Sequence, residues 1–218
     1  MIALEPPETV AELHERLGFV PLQRIRMDPP PGRATEADVI RHEGSISKRL
    51  CELVDGVLLE KPIGSPESFL AATLIGMLHI YLKKNNLGIL TSPDGMYRML
   101  TRNVRLPDVA FIPWANLPGR RKPKSAVWGV VPGLAVEILS ESNTVGEMEL
   151  KLREYQTLGI EVVWIVDPRS ETATIHRLDG SVEHLSATET LTAESVLPGF
   201  VLSLAELFAE PMPPTESA

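Results

Sequence analysis

The sequence predicts an α/β fold in which a mixed β-sheet is flanked by helices. Two Asp-Gly pairs, Asp55-Gly56 and Asp179-Gly180, each separate two short apolar runs, a pattern typical of β-hairpins with two-residue turns. Helical periodicity between residues 144 and 158 joins two strand-like runs, at 134–139 and 161–166. Because a helical crossover is the usual connection between parallel strands, we expect these two runs to pair in parallel.

The composition is that of a globular protein, with 44% hydrophobic and 23% charged residues among 218. Cys51 is the only cysteine, which excludes an internal disulfide and fits a reducing cytoplasm. No segment approaches the roughly 20 apolar residues of a membrane span, and the amino end lacks the pattern of a secretory signal. We therefore expect a cytoplasmic protein without membrane contact. The net charge of -8 disfavours broad affinity for polyphosphates, so DNA contact would require a local cationic patch or a bound metal.

Three segments are expected along the chain. Residues 1–33 form an N-terminal extension, with a short helix over 9–17 and a proline-rich connector over 28–32. Residues 34–210 form the α/β domain, and residues 211–218 form a disordered tail.

The elements of the domain follow from cap and turn signals. Thr35 is the predicted N-cap of the first helix, Ser65 caps the longest helix with Pro66 in its first turn, and Gly159 ends the crossover helix. In chain order, the predicted helices are 35–40, 65–85, 143–158 and 202–208. The predicted strands are 50–53, 57–60, a strand from residue 88, then 96–100, 104–112, 134–139, 161–166, 172–178 and 181–185.

Two carboxylates stand where a strand core should be apolar. Asp108 lies within the run 104–112, and Glu137 lies within the run 134–139. A buried carboxylate costs several kcal/mol unless a metal, a cation or hydrogen bonds compensate it. The sharpest hypothesis is a divalent-cation site, and Glu52, which shares a strand face with apolar residues, is a further candidate. The alternative is a structural ion pair, for which the candidate cations are Arg98, Arg102 and Arg105.

Lys151 is the candidate catalytic cation. It falls inside the apolar arc of the crossover helix, so its ammonium is expected to point toward the sheet and the Glu137 strand. A lysine beside two carboxylates and a metal can orient an attacking water or help to deprotonate it. The alternative is a stem that lies over apolar surface while the ammonium reaches solvent. The acids of the same helix region are expected to be solvated or favoured by the helix dipole, namely Glu141, Glu147, Glu149 and Glu154.

A basic loop is the candidate nucleic-acid contact. It lies within residues 113–132, and its four cations, Arg120, Arg121, Lys122 and Lys124, could clamp phosphates on an otherwise acidic protein. A merely solvated loop is the alternative, since short basic runs are common on protein surfaces.

At these residues the chain resembles the Uma-type family of the restriction-endonuclease-like superfamily. The resemblance covers about residues 35–208 and preserves the order and spacing of the blocks. The blocks that carry it are Cys51-Glu52-Leu53-Val54-Asp55-Gly56, Leu106-Pro107-Asp108-Val109-Ala110-Phe111, Val136-Glu137-Ile138-Leu139-Ser140 and Gly159-Ile160-Glu161-Val162-Val163-Trp164-Ile165-Val166-Asp167-Pro168.

The resemblance implies a metal-dependent nuclease with a Pro-Asp…Glu-x-Lys core. Pro107-Asp108 and Glu137 match this pattern, but Leu139 stands at the position of the lysine, and Lys151 fits a lysine displaced to the following helix. In this interpretation Asp108, Glu137 and the Ile138 carbonyl hold Mg²⁺ or Mn²⁺. Glu52 matches the early glutamate of the family and would hold a second metal or a metal-bound water.

The expected function is therefore hydrolysis of DNA phosphodiester bonds. Because related nucleases are often homodimers, which suits cleavage of both strands, a homodimer is expected. Two alternatives stay open. One is a binding or regulatory module that keeps the nuclease fold without catalysis. The other is a metal-dependent hydrolase of a small phosphoester, which would suit the acidic surface better than duplex binding.

Overall fold

The structure is a computed structural model that describes residues 7–44, 49–62, 64–100 and 103–211. Arg102, the first six residues of the extension and residues 212–218 of the predicted tail lie outside the described residues. The helices are α1 (Val10–Arg16), α2 (Glu36–Glu43), α3 (Ser65–Asn85), α4 (Val145–Leu158) and α5 (Leu204–Phe208). The strands are β1 (Cys51–Val54), β2 (Val57–Glu60), β3 (Gly88–Thr91), β4 (Met96–Arg98), β5 (Val104–Arg105), β6 (Val109–Pro113), β7 (Val127–Trp128), β8 (Leu134–Ile138), β9 (Val162–Asp167), β10 (Thr172–Arg177), β11 (Val182–Leu185), β12 (Thr190–Thr192) and β13 (Val201–Ser203).

Two larger sheets and one two-stranded sheet organise the described part of the chain. The five-stranded sheet has the order β2-β1-β5-β4-β7, and the six-stranded sheet has the order β11-β10-β9-β8-β6-β3. Strands β8 and β9 pair in parallel, with Glu137 opposite Ile165, and α4 connects them. The other pairs of the six-stranded sheet are antiparallel. The predicted parallel pair and the mixed sheet are confirmed.

The prediction of one continuous strand over 104–112 is wrong, because the chain changes sheets within it. Strand β5 pairs with β1 and β4 in the five-stranded sheet, whereas β6 pairs with β3 and β8 in the six-stranded sheet. The crossing contains Pro107, which has no N–H to donate to a strand ladder. Arg105, before this crossing, therefore belongs to the five-stranded sheet, whereas Asp108, after it, lies immediately before β6 in the six-stranded sheet.

The central strands β6, β8 and β9 of the six-stranded sheet are largely buried on both faces, and α4 covers the face that carries the candidate site. On one face, the sheet packs against α3 through a cluster that includes Leu74, Leu78, Phe111, Val136 and Trp164. On the other face, Tyr155 of α4 packs in a cluster with Ala110, Ala135 and Val163. Because side chains alternate along a strand, Glu137 shares the face of Ala135 and points toward α4.

Several element boundaries differ from the prediction. Helix α3 has Gly64 at its N-cap, so Ser65 is its first residue rather than its cap. The closing helix begins at Leu204, because residues 201–203 form β13, which pairs with β12. A three-residue strand is too short to produce a readable alternation, which is why this pair was missed. No helix within the described segments is long and apolar enough to cross a membrane.

The N-terminal segment packs against the first hairpin. Its residues Leu13, Leu17 and Val20 form one buried apolar cluster with Val54, Val57 and Leu59 of that hairpin. The division of the chain at residue 33 stays a prediction, but the described part of the extension contributes to the packed structure.

Gly18 brings the same segment into backbone contact with the start of α4. A Cβ at Gly18 would lie 2.4 Å from the backbone nitrogen of Glu147, and the φ of +73° is itself unfavourable for other residues. The Gly18 carbonyl accepts a hydrogen bond from Thr144 Oγ1 at 2.6 Å. A glycine is therefore required for this approach.

Candidate functional site

Asp108 lies immediately before β6, Glu137 lies in the neighbouring strand β8, and both side chains are on the same face of the six-stranded sheet. The Asp108 N–H donates to the Val136 carbonyl at 2.8 Å, and Asp108 Oδ2 accepts from the Ile138 N–H at 2.7 Å. Alternation along the chain gives Asp108 the face of Ala110, which belongs to the cluster beneath α4. Asp108 is the more accessible of the two carboxylates, with 14% of its side chain exposed.

Glu137 is held by two side chains of α4. Its Oε2 accepts from Lys151 Nζ at 2.9 Å, and its Oε1 accepts from the Tyr155 hydroxyl. Burial raises the pKa of Glu137, Lys151 opposes this rise, and the negative charges of Asp108 and Glu52 add to it. Burial and then the charge of Glu137 raise the pKa of Tyr155, so the phenol stays protonated and acts as a donor.

Glu52, in β1, is surrounded by positive groups. Its Oε1 accepts from Lys151 Nζ at 2.9 Å and from the Leu106 N–H at 3.1 Å, and its Oε2 accepts from Arg105 Nη1 at 2.9 Å. Burial alone would raise the pKa of Glu52, but the charges of Lys151, Arg105 and Lys61 outweigh burial and lower it to about 2. Glu52 is therefore ionised at neutral pH and compensates buried cations.

Lys151 links the two larger sheets. Its ammonium binds Glu52 of the five-stranded sheet and Glu137 of the six-stranded sheet, and the residue is 2% exposed. The alternative of an ammonium that reaches solvent is therefore wrong. Burial lowers the pKa of Lys151, but Glu137, Glu52 and then Glu147 outweigh it and hold the pKa above its usual value. At neutral pH the group can orient or neutralise an anion, but it cannot accept a proton.

The cation bound to Asp108 is Lys61, which sequence reasoning missed. Lys61 Nζ lies 2.8 Å from Asp108 Oδ1 and also donates to the carbonyls of Pro93, at 3.0 Å, and Leu106. Lys61 directly follows β2, and a lysine just after the end of a strand is usually exposed to solvent. Its only signal in the sequence is its position between an apolar strand and Pro62.

The arginines considered as partners of the two strand carboxylates bind other acids. Arg98 Nη2 lies 2.7 Å from Glu36 Oε1. Arg105, which is 1% exposed, binds Glu52 and also Glu154, at 2.7 Å. For Arg98 and Arg105 the structural-pair hypothesis is therefore wrong, since the cations bound to Asp108 and Glu137 among the described residues are lysines. Arg102 lies outside the described residues. The expectation of a solvated Glu154 is also wrong.

Glu147, expected to be solvated or favoured by the helix dipole, lies in the first turn of α4 but is buried, 1% exposed, against the N-terminal segment. Arg24, in a 3₁₀ turn (Leu22–Arg24), donates to both carboxylate oxygens of Glu147, at 2.6 and 2.9 Å. The same guanidinium donates to the carbonyls of Glu60, at 2.8 Å, and Ser142, at 3.1 Å. Burial raises the pKa of Glu147, but the bond from Arg24 and the charge of Lys151 outweigh it and lower the pKa. The extension thus reaches the edge of the candidate site.

The donor chemistry of Asp108 and Glu137 fits a hard divalent cation, whereas Glu52 does not fit this role. Carboxylate oxygens are the ligands that Mg²⁺ and Mn²⁺ prefer. Asp108 is the most accessible of the three carboxylates, although Lys61 Nζ already contacts its Oδ1 and the Ile138 N–H its Oδ2. Glu52 differs from Asp108 and Glu137 because it is only 1% exposed and is already neutralised by two cations, Lys151 and Arg105. Across the described segments, no group of three or more His, Cys, Asp or Glu residues is arranged to hold a metal ion. Ile138, expected to offer its carbonyl, meets Asp108 through its N–H.

The basic loop is exposed. Arg120, Arg121, Lys122 and Lys124 are all accessible to solvent, in the connection between β6 and the edge strand β7. Residues 121–124 have no regular secondary structure, and Gly119 and Arg120 both have positive φ, of 60° and 53°. The four cations are thus available to an anionic partner, while Glu52, Asp108, Glu137 and Lys151 are gathered where α4 packs on the sheets.

Comparison with protein families identifies the group to which the chain belongs. A family model described as "Putative restriction endonuclease", Uma2, matches residues 41–205. The chain belongs to the Uma2 family. The four gathered residues and Lys61 lie inside the matched region, whereas Arg24 lies before it. A comparison with curated proteins found no match.

A solved structure supports the same fold. The chain resembles the crystal structure of "a putative nuclease belonging to DUF820" from Anabaena variabilis, with a TM-score of 0.65 and 16% sequence identity. The likeness covers 73% of this chain and 90% of that chain. The predicted restriction-endonuclease-like fold and the resemblance to the Uma2 family are both confirmed.

Proposed function

We propose that this Uma2 chain is a cytoplasmic endonuclease that hydrolyses DNA phosphodiester bonds with Mg²⁺ or Mn²⁺. The observation that carries the proposal is the convergence of Asp108 and Glu137 on one face of the sheet, with Lys151 Nζ 2.9 Å from Glu137 Oε2. Two carboxylates could hold a divalent cation, and a lysine beside them could orient the phosphate or the attacking water. The description of the family as a restriction endonuclease points to the same class of reaction.

Asp108 and Glu137 would hold the metal, with the Ile138 carbonyl as a third ligand. A bound divalent ion would lower the pKa of a water molecule and neutralise charge on the phosphate. Without metal, burial and the charges of Asp108 and Glu52 raise the pKa of Glu137, and a bound cation would oppose this rise.

Lys151 would orient the phosphate or the attacking water. An ammonium has three N–H donors, and Glu52 and Glu137 accept two of them. The third donor is available for an anionic oxygen, and the raised pKa of Lys151 keeps the group charged. In this proposal Glu52 is a positioning residue, because it acts by fixing Lys151 rather than by touching the substrate.

The DNA backbone would be held by Arg120, Arg121, Lys122 and Lys124. These exposed cations form a local patch on a chain whose net charge is -8, so they would supply the attraction that the whole protein does not. A homodimer, which light scattering would detect, would present one such loop and one carboxylate site to each strand of a duplex.

The test is cleavage of supercoiled plasmid with Mg²⁺ or Mn²⁺, with and without EDTA. We expect nicked and linear DNA only with metal, and at least a hundredfold less from Asp108→Asn and from Lys151→Met. The control is Asp179→Asn, which changes an exposed aspartate in the β10–β11 turn and should leave cleavage unchanged. Equal cleavage by wild type, Asp108→Asn and Lys151→Met would refute the proposed site.

A second candidate function is a nucleic-acid-binding or protein-binding module without catalysis. It is favoured by the observation that the oxygens of Asp108, Glu137 and Glu52 are all bonded to groups of the protein itself. DNA retention on a filter without cleavage, in the presence of either metal, would support this candidate.

Turnover of bis(p-nitrophenyl) phosphate without plasmid cleavage would instead support a hydrolase of small phosphoesters.

A further inference from the structure

Lys61 is a buried cation for which the proposed reaction has no use. It is 7% exposed, and its ammonium donates to Asp108 Oδ1 and to the carbonyls of Pro93 and Leu106. These three acceptors match the three N–H donors of an ammonium. Lys61 therefore has no donor left for a phosphate or a water, in contrast to Lys151.

The position of Lys61 matters because Asp108 is the accessible carboxylate of the site. Asp108 Oδ2 accepts a backbone hydrogen bond from the Ile138 N–H at 2.7 Å, whereas the partner of Oδ1 is a side chain. Lys61 Nζ occupies that oxygen at 2.8 Å. A carboxylate oxygen has more than one lone pair, so a metal bound to the same carboxylate would lie directly beside the ammonium.

Two positive charges so close together repel strongly where little water screens them. Only 4% of the Lys61 side chain and 14% of the Asp108 side chain are exposed. A divalent ion and the Lys61 ammonium therefore cannot both bind Asp108 at full strength. The ammonium is held by two carbonyls as well as by the carboxylate, so its displacement costs three hydrogen bonds.

We infer that Lys61 competes with the divalent cation for Asp108, and that it sets how tightly the protein binds metal. The inference rests on the proposed function, because it assumes that Asp108 is a metal ligand. Without metal, Lys61 neutralises Asp108 and keeps the buried pair satisfied. With metal, the ammonium must leave Asp108 Oδ1, so the affinity is lower than two free carboxylates would give.

The test is a titration of the whole protein with Mn²⁺, in which free ion is measured by electron paramagnetic resonance and heat by calorimetry. Lys61→Gln keeps an N–H donor for the carbonyls of Pro93 and Leu106 but removes the charge, so we expect it to bind Mn²⁺ at least tenfold more tightly than wild type. Lys61→Met should show the same change, and circular dichroism reports whether each variant is folded. Lys84→Met is the matched control, since it removes one lysine charge from an exposed position of α3 and should not alter the affinity.

A second pair of variants locates the ion. Adding Asp108→Asn to Lys61→Gln should abolish the gained affinity. If folded Lys61→Gln binds Mn²⁺ no more tightly than wild type does, the inference is overturned, while the proposed metal site stays intact. Absence of Mn²⁺ binding in wild type and in both lysine variants would overturn both the inference and the metal dependence of the proposed function.

Discussion

Replacing Glu52 with glutamine should destabilise the protein by about 3 kcal/mol at neutral pH and by much less in acid. The carboxyl pKa falls from an ordinary 4.5 to about 2 in the folded protein. At 1.36 kcal/mol per pH unit, this makes the ionised form worth ~3 kcal/mol of folding free energy. A carboxylate whose pKa is lowered by folding stabilises the folded protein at pH values above its unfolded pKa of 4.5. This stabilisation is lost as the pH falls toward 2.

The difference between wild type and Glu52→Gln should therefore shrink below pH 4.5 and reach less than half its neutral value at about pH 3. Urea unfolding at several pH values, followed by the fluorescence of buried Trp164, measures this difference directly. The comparison of the two proteins at each pH removes the contributions of groups distant from Glu52, whereas Glu137 and Glu147 respond to the substitution, because the charge of Glu52 raises the pKa of both.

Glu60→Gln is the matched control, because Glu60 lies on the partner strand β2 and pairs with Arg26 and Arg49, which are partly exposed. Exposed pairs are worth about 0–1 kcal/mol, so this change should be small. A Glu52→Gln penalty that is the same at every pH, or no larger than that of Glu60→Gln, would refute the argument that Glu52 is a buried anion held ionised by Lys151 and Arg105.

Two further predictions concern the N-terminal segment and the basic loop. Arg24→Met should lower the free energy of unfolding by about 3–5 kcal/mol, because it leaves Glu147 as a buried carboxylate without its cation, whereas Arg26→Met, in the same segment but 35% exposed, should cost less than about 1 kcal/mol. Urea unfolding compares the two, and equal effects would contradict the role of Arg24. Changing Arg120, Arg121, Lys122 and Lys124 together to glutamine should weaken DNA binding and reduce the slope of log affinity against log salt by up to about 4. Fluorescence anisotropy at several salt concentrations measures the slope, with Lys83→Gln/Lys84→Gln on exposed α3 positions as control; an unchanged slope in the loop variant would make the loop a solvated connection.

The sequence predicted the elements that depend on local signals. The Asp-Gly hairpins and the parallel pair around α4 follow from turn residues and periodicity, and the structure contains all three. The prediction of one strand over 104–112 was wrong because an apolar run carries no information about which sheet each of its halves joins. Only Pro107 marks the change of sheet, and proline also occurs at the ends of ordinary strands.

The candidate site was predictable in its acids but not in its charge pairing. Asp108, Glu137 and Lys151 could be singled out because each breaks an apolar pattern. Lys61 breaks none, since it stands after the end of β2, and its pairing with Asp108 depends on the approach of two sheets.

The predicted arginine partners were wrong for the same reason. Arg105 lies near Asp108 in the sequence, yet the change of sheet at Pro107 turns it toward Glu52 and Glu154. Partners that are distant in sequence are set by tertiary packing, which periodicity and spacing do not encode.

The contact between Gly18 and the first turn of α4 affects how this protein should be shortened for expression. The family match begins at residue 41, and trimming to that point would remove Gly18 and the guanidinium of Arg24. It would also uncover Val54, Val57 and Leu59 of the first hairpin. A protein trimmed to the family boundary would thus expose apolar surface, and any inactivity it showed would reflect damaged packing rather than the chemistry of Asp108 and Glu137. The shortest version suited to biochemistry should keep the chain from α1 onward.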